Sequence, residues 1–288
     1  MLDEIVVFAP AKINLGLKVL PKRQDGFHDL ESIFQTVSLA DKLTVTKSSG
    51  SGCTVFCDKM ELPENNTITM TYKAFYDVLG YSGTAVNVVL EKHIPAGGGL
   101  GGGSSDAASL IWALEKLNNV RLTEKQLDSI ASSIGSDVFF FTHCDSAGSC
   151  CAVVSGRGEF VRVIKKRQDL YFVLVFPEVH SSTKEAYSLV DRLLANSKKI
   201  EYPNFGDLEK MYFSPVSEWK FRNTFTEALK LKYPEIDFAL QKIRETDSLY
   251  SEMSGSGSTV FGIYASWEEA KKAAKILNDE GLKCVVTQ

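Results

Sequence analysis

The stretch Ile94-Pro95-Ala96-Gly97-Gly98-Gly99-Leu100-Gly101-Gly102-Gly103-Ser104-Ser105-Asp106 decides how this chain is read. Six of the 21 glycines fall in the seven positions 97 to 103. Upstream, Val86, Val88 and Leu90 recur with period two, a strand pattern. Downstream, Ala107, Leu110, Ile111, Leu114 and Leu117 recur at helical spacing on one face. A glycine run placed there lets the backbone take positive φ and approach a ligand closely. The following helix turns its free N–H groups and positive dipole end toward the loop. Together these make an anion site suited to phosphates. Ser104 and Ser105 add hydroxyls that reach phosphate oxygens or a bound Mg²⁺. The plain alternative, a flexible linker, does not call for such tight flanking elements.

The loop is not of the G-x-x-x-x-G-K-[ST] type, and H-R-D and D-F-G are absent. Gly97, Gly99 and Gly102 match G-x-G-x-x-G in form. A dinucleotide site, however, needs a second parallel strand soon after the helix. Here a second helix follows, opened by the capping box Thr123-x-x-Gln126. Its apolar face is Leu127, Ile130 and Ile134, and Gly135 is placed to end it.

Toward the N-terminus, an apolar run at 5–8 precedes Pro10-Ala11-Lys12-Ile13-Asn14-Leu15. Ile13, Leu15, Leu17 and Val19 alternate as a half-buried strand, which puts Lys12 and Asn14 on one face. Leu43, Val45 and residues 53–56 predict a further hairpin, and 68–79 a helix. Past the second helix, 136–141 opens a new buried element and 156–159 is a turn. The charged run 165–169 reads as a wet connection, which predicts domains at 1–164 and 165–288. Beyond it come a buried strand at 170–176, helices at 184–194, 221–231 and 236–243, and a strand at 259–264. A helix boxed by Ser266 and Glu269 and a strand at 282–287 end the chain. The pattern is α+β.

Composition narrows the function. The 288 residues carry 32 basic and 36 acidic side chains, net −4, with no basic footprint for nucleic acid. The longest apolar runs, such as 171–176, are about a third of a membrane span, so no membrane partner is expected. Residues 1–4 are acidic where a signal peptide is basic, which predicts a cytoplasmic protein. The six cysteines contain no C-x-x-C and the four histidines no H-x-x-x-H, so free thiols and no protein-built metal centre are expected.

The segment Pro95-x-x-x-Gly99-Leu100-Gly101-Gly102-Gly103-Ser104-Ser105 resembles the phosphate loop of the GHMP kinases. Other pieces match in order along nearly the whole chain: residues 10–15, Asp25-Gly26-Phe27-His28-Asp29-Leu30, Ile134-Gly135-Ser136-Asp137-Val138, Gly156-Arg157-Gly158-Glu159 and Met253-Ser254-Gly255-Ser256-Gly257-Ser258. Within the family, the pattern is similar to members whose alcohol substrate carries a cytidyl diphosphate. The resemblance implies a two-domain α+β fold, the first domain ribosomal S5-like and the second ferredoxin-like. It also implies transfer of the γ-phosphoryl of ATP, with Mg²⁺, to a hydroxyl of a small cytidyl-diphosphate sugar alcohol. The chain would act as a monomer or weak homodimer.

By the same resemblance, Pro95, Ala96, Gly97, Gly98, Gly99, Leu100, Gly101, Gly102, Gly103, Ser104 and Ser105 hold ATP. Asp137 is the catalytic base and Lys12 the second catalytic residue, a cation that keeps the base ionised. Asn14, Phe27, His28, Thr183 and Tyr187 bind substrate. Taken alone, Asp137 reads as a helix N-cap, Lys12 as an exposed strand lysine, and His28 either as a turn histidine or as a ligand for the base. The loop holding Gly255 and Gly257 reads either as a turn or as a flap over the site. Three departures from the family pattern stand out: Phe27 where Tyr is usual, His180 where Val is usual, and Phe139 where Pro is usual. Asp106 places a negative charge just beyond the loop.

Overall fold

The computed structural model describes residues 3–179, 182–195 and 200–288. In chain order the elements are β1 (Glu4–Lys22), β2 (His28–Lys47), β3 (Cys53–Cys57), α1 (Thr67–Leu79), β4 (Val86–Glu91), α2 (Gly102–Asn118), α3 (Glu124–Ile134) and α4 (Ser136–Thr142). They continue with β5 (Cys151–Gly156), β6 (Phe160–Val163), β7 (Tyr171–Val175), α5 (Thr183–Ala195), α6 (Leu208–Phe213), α7 (Thr224–Leu229), α8 (Pro234–Arg244), β8 (Tyr250–Met253), β9 (Val260–Tyr264), α9 (Trp267–Asp279) and β10 (Cys284–Thr287).

The chain forms two compact units. One comprises Met1–Ala11, Leu39–Ala96 and Gly101–Cys150; the other comprises Lys12–Ser38, Gly97–Leu100 and Cys151–Gln288. The long strands β1 and β2 each contribute residues to both, so the division is not a single cut, and position 164/165 lies inside the second unit. The two apolar stretches expected near the N-terminus are one strand, β1, running through Pro10. Among the strands of its sheet β1 pairs with β2, and an edge position tolerates the missing N–H of proline.

In the first unit, β4 lies between β3 and β2. It pairs parallel with β3 (Cys53↔Val86) and antiparallel with β2 (Lys42↔Glu91). The hairpin expected from residues 43–45 and 53–56 is therefore not formed. A parallel β3–β4 pair needs a crossover helix, and α1 supplies it, burying Ile68, Phe75 and Tyr76. The core joins these to Leu43, Val45, Val88 and the Leu110, Ile111, Leu114 and Leu117 face of α2. The Thr123–Gln126 capping box is formed, and Gly135 ends α3 while capping α4.

In the second unit, β5 pairs antiparallel with β2 (Leu30↔Gly156) and with β6. A separate four-stranded antiparallel sheet has the order β10-β7-β9-β8. Helices α5 to α8 connect β7 to β8, and α9 connects β9 to β10, the split β-α-β arrangement. Val173, Val175, Leu240, Ile243, Val260, Ala273 and Leu277 form its core. The sequence reading does not anticipate α6 and β8; both are short and lack a long apolar period. Ser266 caps α9 by accepting from the Glu269 N–H, but the Glu269 carboxylate accepts from Ala265 N instead of closing the box.

Candidate active site

In the second unit, β1 presents Lys12 and Asn14 on one face. The Lys12 Nζ donates to Asn14 Oδ1 at 2.7 Å and stands 4.7 Å from the centre of the Phe34 ring. Lys12 is only 3% exposed, which excludes the reading as a solvated strand lysine. Its backbone N–H donates to Leu100 O at 2.9 Å, so β1 is tied to the glycine loop at the residue that carries the ammonium. Asn14 is fully buried; its Nδ2 donates to Ser32 Oγ at 3.1 Å, and Ser32 Oγ donates to Gly16 O. With both ends of its amide used, Asn14 is fixed in one orientation.

Residues 97–100 are pinned by the 254–259 segment. Ser254 Oγ donates to Gly99 O at 2.9 Å, and Thr259 N donates to Gly98 O at 3.2 Å. The Gly255–Gly257 segment forms a turn ahead of β9, as one of its two readings has it, and this turn contacts the glycine loop. Gly99 has φ +76°, and a Cβ there would lie 2.1 Å from Ser254 O. Asn223, which the sequence reading misses, holds this segment. Its Nδ2 donates to Met253 O and Gly255 O at 2.7 and 2.8 Å, while its Oδ1 caps α7. An isolated asparagine near a helix start gives no sequence signal for such a long-range role.

Phe27, His28, Thr183 and Tyr187 lie in the same unit. His28 is buried, and its Nδ1 donates to Leu20 O at 2.8 Å. A carbonyl only accepts, so in the neutral ring Nε2 carries the lone pair. Nε2 lies 3.1 Å from Asp191 Oδ1 but out of line for a hydrogen bond. The imidazole stacks on Tyr187 at 5.1 Å and 21°, and Tyr187 meets Phe225 edge-on. His28 opens β2, so its reading as a turn histidine is excluded. Phe27 is about half exposed, and the Arg157 guanidinium lies 3.7 Å from its ring centre. Arg157 comes from the Gly156–Glu159 turn, and the sequence reading gives it no role. Thr183 opens α5, one turn before Tyr187, with its Oγ1 3.3 Å from Ser256 Oγ. His180 and Ser181 lie outside the described residues.

The first unit carries the other half of the glycine loop. Gly101, in the left-handed conformation, caps α2, and Ser104 and Ser105 lie in its first turns. Lys92 stands beside this helix start: its Nζ is 3.4 Å from where a Cβ on Gly102 would be. The same ammonium pairs with Asp41 and, at 2.8 Å, with Asp106 Oδ2. Asp41 Oδ1 accepts from His93 N and Ile94 N, fixing the approach to the loop. The charge of Asp106 is thus answered by Lys92. Burial pushes its carboxyl up to about 7, opposed by Lys92 and assisted by Asp41. Neither Lys92 nor Asp41 stands out in the sequence, because the contact joins β2, β4 and α2.

Asp137 is the second residue of α4. The cap is Gly135, so the reading of Asp137 as an N-cap is excluded. Its carboxylate lies in the first turn of α4. Ser104 Oγ is 3.9 Å from where a Cβ on Gly135 would be, so the loop hydroxyl neighbours the start of α4. Phe139 is half-buried against Ala107, Ala131 and Val138 within an unbroken helix. Ser105 is fully buried and its Oγ has no hydrogen-bond partner. Among the described residues no group of three His, Cys, Asp or Glu side chains could hold a metal ion. No described helix is long and apolar enough to cross a membrane.

Comparison with known proteins gives the same direction. Residues 66–145 match the model of the GHMP kinases N terminal domain, and 205–283 that of the GHMP kinases C terminal. The chain is 38% identical over 283 residues to the 4-diphosphocytidyl-2-C-methyl-D-erythritol kinase of Thermodesulfovibrio yellowstonii, covering 96% of this chain and 95% of that one. It is 36% identical over 285 residues to the protein of the same name from Treponema pallidum, covering 96% of each. A crystal structure of 4-(cytidine 5'-diphospho)-2C-methyl-D-erythritol kinase superposes with a TM-score of 0.79 at 29% identity, over 98% of this chain and 99% of that one. A homoserine kinase from Cytophaga hutchinsonii shares the fold at a TM-score of 0.68 and 19% identity. A glycine loop bound to a buried lysine, on a two-domain α+β fold and with relatives alike over nearly their full length, means that this chain belongs to the 4-diphosphocytidyl-2-C-methyl-D-erythritol kinases of the GHMP kinase family.

Proposed function

We propose how the residues of this chain carry the family's reaction. The protein is an ATP-dependent small-molecule kinase. It transfers the γ-phosphoryl of ATP to the 2-hydroxyl of 4-diphosphocytidyl-2-C-methyl-D-erythritol, giving the 2-phosphate and ADP, a step of non-mevalonate isoprenoid biosynthesis. The observation that carries the assignment of roles is the bond from Lys12 N to Leu100 O, which fixes the buried cation to the phosphate loop.

Residues 95–105 bind the triphosphate through backbone N–H groups, with the start of α2 adding positive potential. Asp137 accepts the proton of the substrate alcohol as the new P–O bond forms; full deprotonation beforehand is not required, because phosphoryl transfer depends mainly on positioning and charge stabilisation. Lys12, oriented by Asn14, holds the substrate oxygen. Phe27 offers an aromatic face to cytosine. His28 Nε2 accepts from its exocyclic amine, with the ring braced by Tyr187. Thr183 lines the same substrate region. With no protein-built group of three ligands among the described residues, Ser104 at the start of α2 would hold a Mg²⁺ arriving with the phosphates, and the ion would supply neutralisation of phosphate charge. We place the reaction in the cytoplasm.

The test is ATP consumption with product mass, in the presence of Mg²⁺, across the cytidyl substrate, methylerythritol phosphate, mevalonate, homoserine and galactose. Turnover confined to the cytidyl substrate is expected. Turnover on another alcohol would retain the roles of Lys12 and Asp137 and overturn those of Phe27 and His28.

A further inference from the structure

Glu252, near the end of β8 in the second unit, is a buried carboxylate to which the reaction described above gives no role; it is 6% exposed. Its Oε1 accepts from Thr226 Oγ1 at 2.6 Å and from Met253 N at 3.0 Å, and its Oε2 accepts from Asn223 N at 3.2 Å. Burial pushes the carboxyl up, and the hydrogen bonds from Thr226, Met253 and Asn223 oppose that shift. A buried carboxylate is tolerated only where donors surround it.

Tyr250 and Glu252 alternate onto one face of β8, and both hold the same segment. The Tyr250 hydroxyl donates to Phe221 O at 3.2 Å, two residues before Asn223. β1 holds this segment too: Leu17 N donates to Arg222 O at 2.8 Å, and Val19 N to Thr224 Oγ1 at 2.9 Å. Residues 221–226 are thus fastened both to β8 and to the strand that carries Lys12 and Asn14. Asn223 passes the constraint on. Its backbone N–H is held by Glu252, while its side chain holds Met253 O and Gly255 O. The turn so held sets Ser254 Oγ on Gly99 O and Thr259 N on Gly98 O. A chain of hydrogen bonds therefore runs from Glu252 through Asn223 to the turn, and from the turn to the glycine loop.

We propose that Glu252 is a positioning residue for nucleotide binding: through Asn223 it sets the turn against Gly98 and Gly99, and so sets the path of the phosphate loop. It acts through these residues and touches neither ATP nor the alcohol substrate. A carboxylate suits the position because every partner donates to it. In E252Q the amide NH₂ must face the N–H of either Asn223 or Met253, whichever way the amide lies. The role rests on the reading that residues 97–100 hold the nucleotide.

The test is steady-state kinetics of the full chain with the cytidyl substrate saturating and ATP varied, beside thermal melting of each variant. In E252Q, KM for ATP should rise about tenfold while kcat falls less than about threefold, because a buried donor set against another donor displaces the segment that carries it. A lesion of the fold alone lowers the fraction of active enzyme, and hence kcat, and leaves KM where it was. T226V removes one donor and keeps the carboxylate, so KM for ATP should rise about threefold. T226S keeps the hydroxyl and should match the parent; this pair decides the matter should E252Q not fold. S254A breaks the contact with Gly99 O directly. A raised KM for ATP in S254A beside parent values in folded E252Q and in T226V would overturn the role of Glu252 and leave the nucleotide reading intact. Parent values in all three would overturn both, and a loss in E252Q confined to kcat would overturn the proposal.

Discussion

Gly99 and Gly255 meet backbone against backbone: a Cβ on Gly255 would sit 2.8 Å from the Gly99 carbonyl oxygen and 3.1 Å from Gly99 Cα. Both residues have positive φ, +76° and +55°. The contact joins a loop after β4 to a loop after β8, far apart in sequence, and leaves no room for a side chain on either. Gly99→Ala combines a left-handed strain of about 1–2 kcal/mol with a clash against Ser254 O. The expected result is a melting temperature lowered by several degrees and a KM for ATP raised at least tenfold. Thermal melting and ATP saturation kinetics check both, and a parent-like KM would separate this contact from nucleotide binding.

Asp137→Asn retains the shape of the side chain and removes the proton acceptor. Loss of kcat by about 10²–10⁴-fold is expected, the usual contribution of a general base, with ATP affinity unchanged. Lys12→Met should also be severely impaired. If the two residues serve one proton-transfer step, the double variant is little worse than the worse single one. Steady-state rates and nucleotide titration measure this; full additivity would assign Lys12 a separate role.

His28→Ala removes both Nε2 and the ring stacked on Tyr187. The stack alone is worth about 0.5–1.5 kcal/mol, about 2- to 13-fold, so KM for the cytidyl substrate should rise severalfold while KM for ATP changes less than twofold. Phe27→Tyr should be nearly neutral, since stacking needs only the ring. Equal losses toward both substrates in His28→Ala would count against a cytidine role.

Asp106 gives a pH dependence with a definite sign. Its carboxyl is pushed up to about 7 in the folded protein, chiefly by burial, whereas an unfolded Asp titrates near 4. The folded state therefore binds the extra proton between these values, and stability from this group is full below about pH 4 and falls as pH rises to about 7. Asp106→Asn resembles the protonated acid and cannot ionise. Its melting temperature should change less between pH 5 and pH 8 than that of the parent, with the difference in favour of the variant at the alkaline end. Thermal melting at a series of pH values checks this; parallel curves would show that Asp106 stays ionised throughout.

Several parts of the site were legible because short-range chemistry specifies them. The glycine run, the helix after it and the Thr123 capping box are local patterns, and each forms as its spacing implies. The alternation through Ile13 and Leu15 likewise puts Lys12 and Asn14 on one face, which their 2.7 Å bond bears out. The hairpin reading failed because strand partners are chosen by burial of α1, not by proximity in the chain.

The kind of loop, the helices beside it and the residue types offered to a phosphate and a base are written in the order of residues along the chain. Which groups hold them is a matter of the folded arrangement. Asn223 bracing the 253–255 segment, Ser254 on Gly99, Lys92 between Asp41 and Asp106, and Arg157 on Phe27 all join residues brought together by folding. Periodicity and capping act within a turn or two of chain, whereas hydrogen bonds and charge pairs depend on distance in space. A one-dimensional pattern carries the first and is silent on the second.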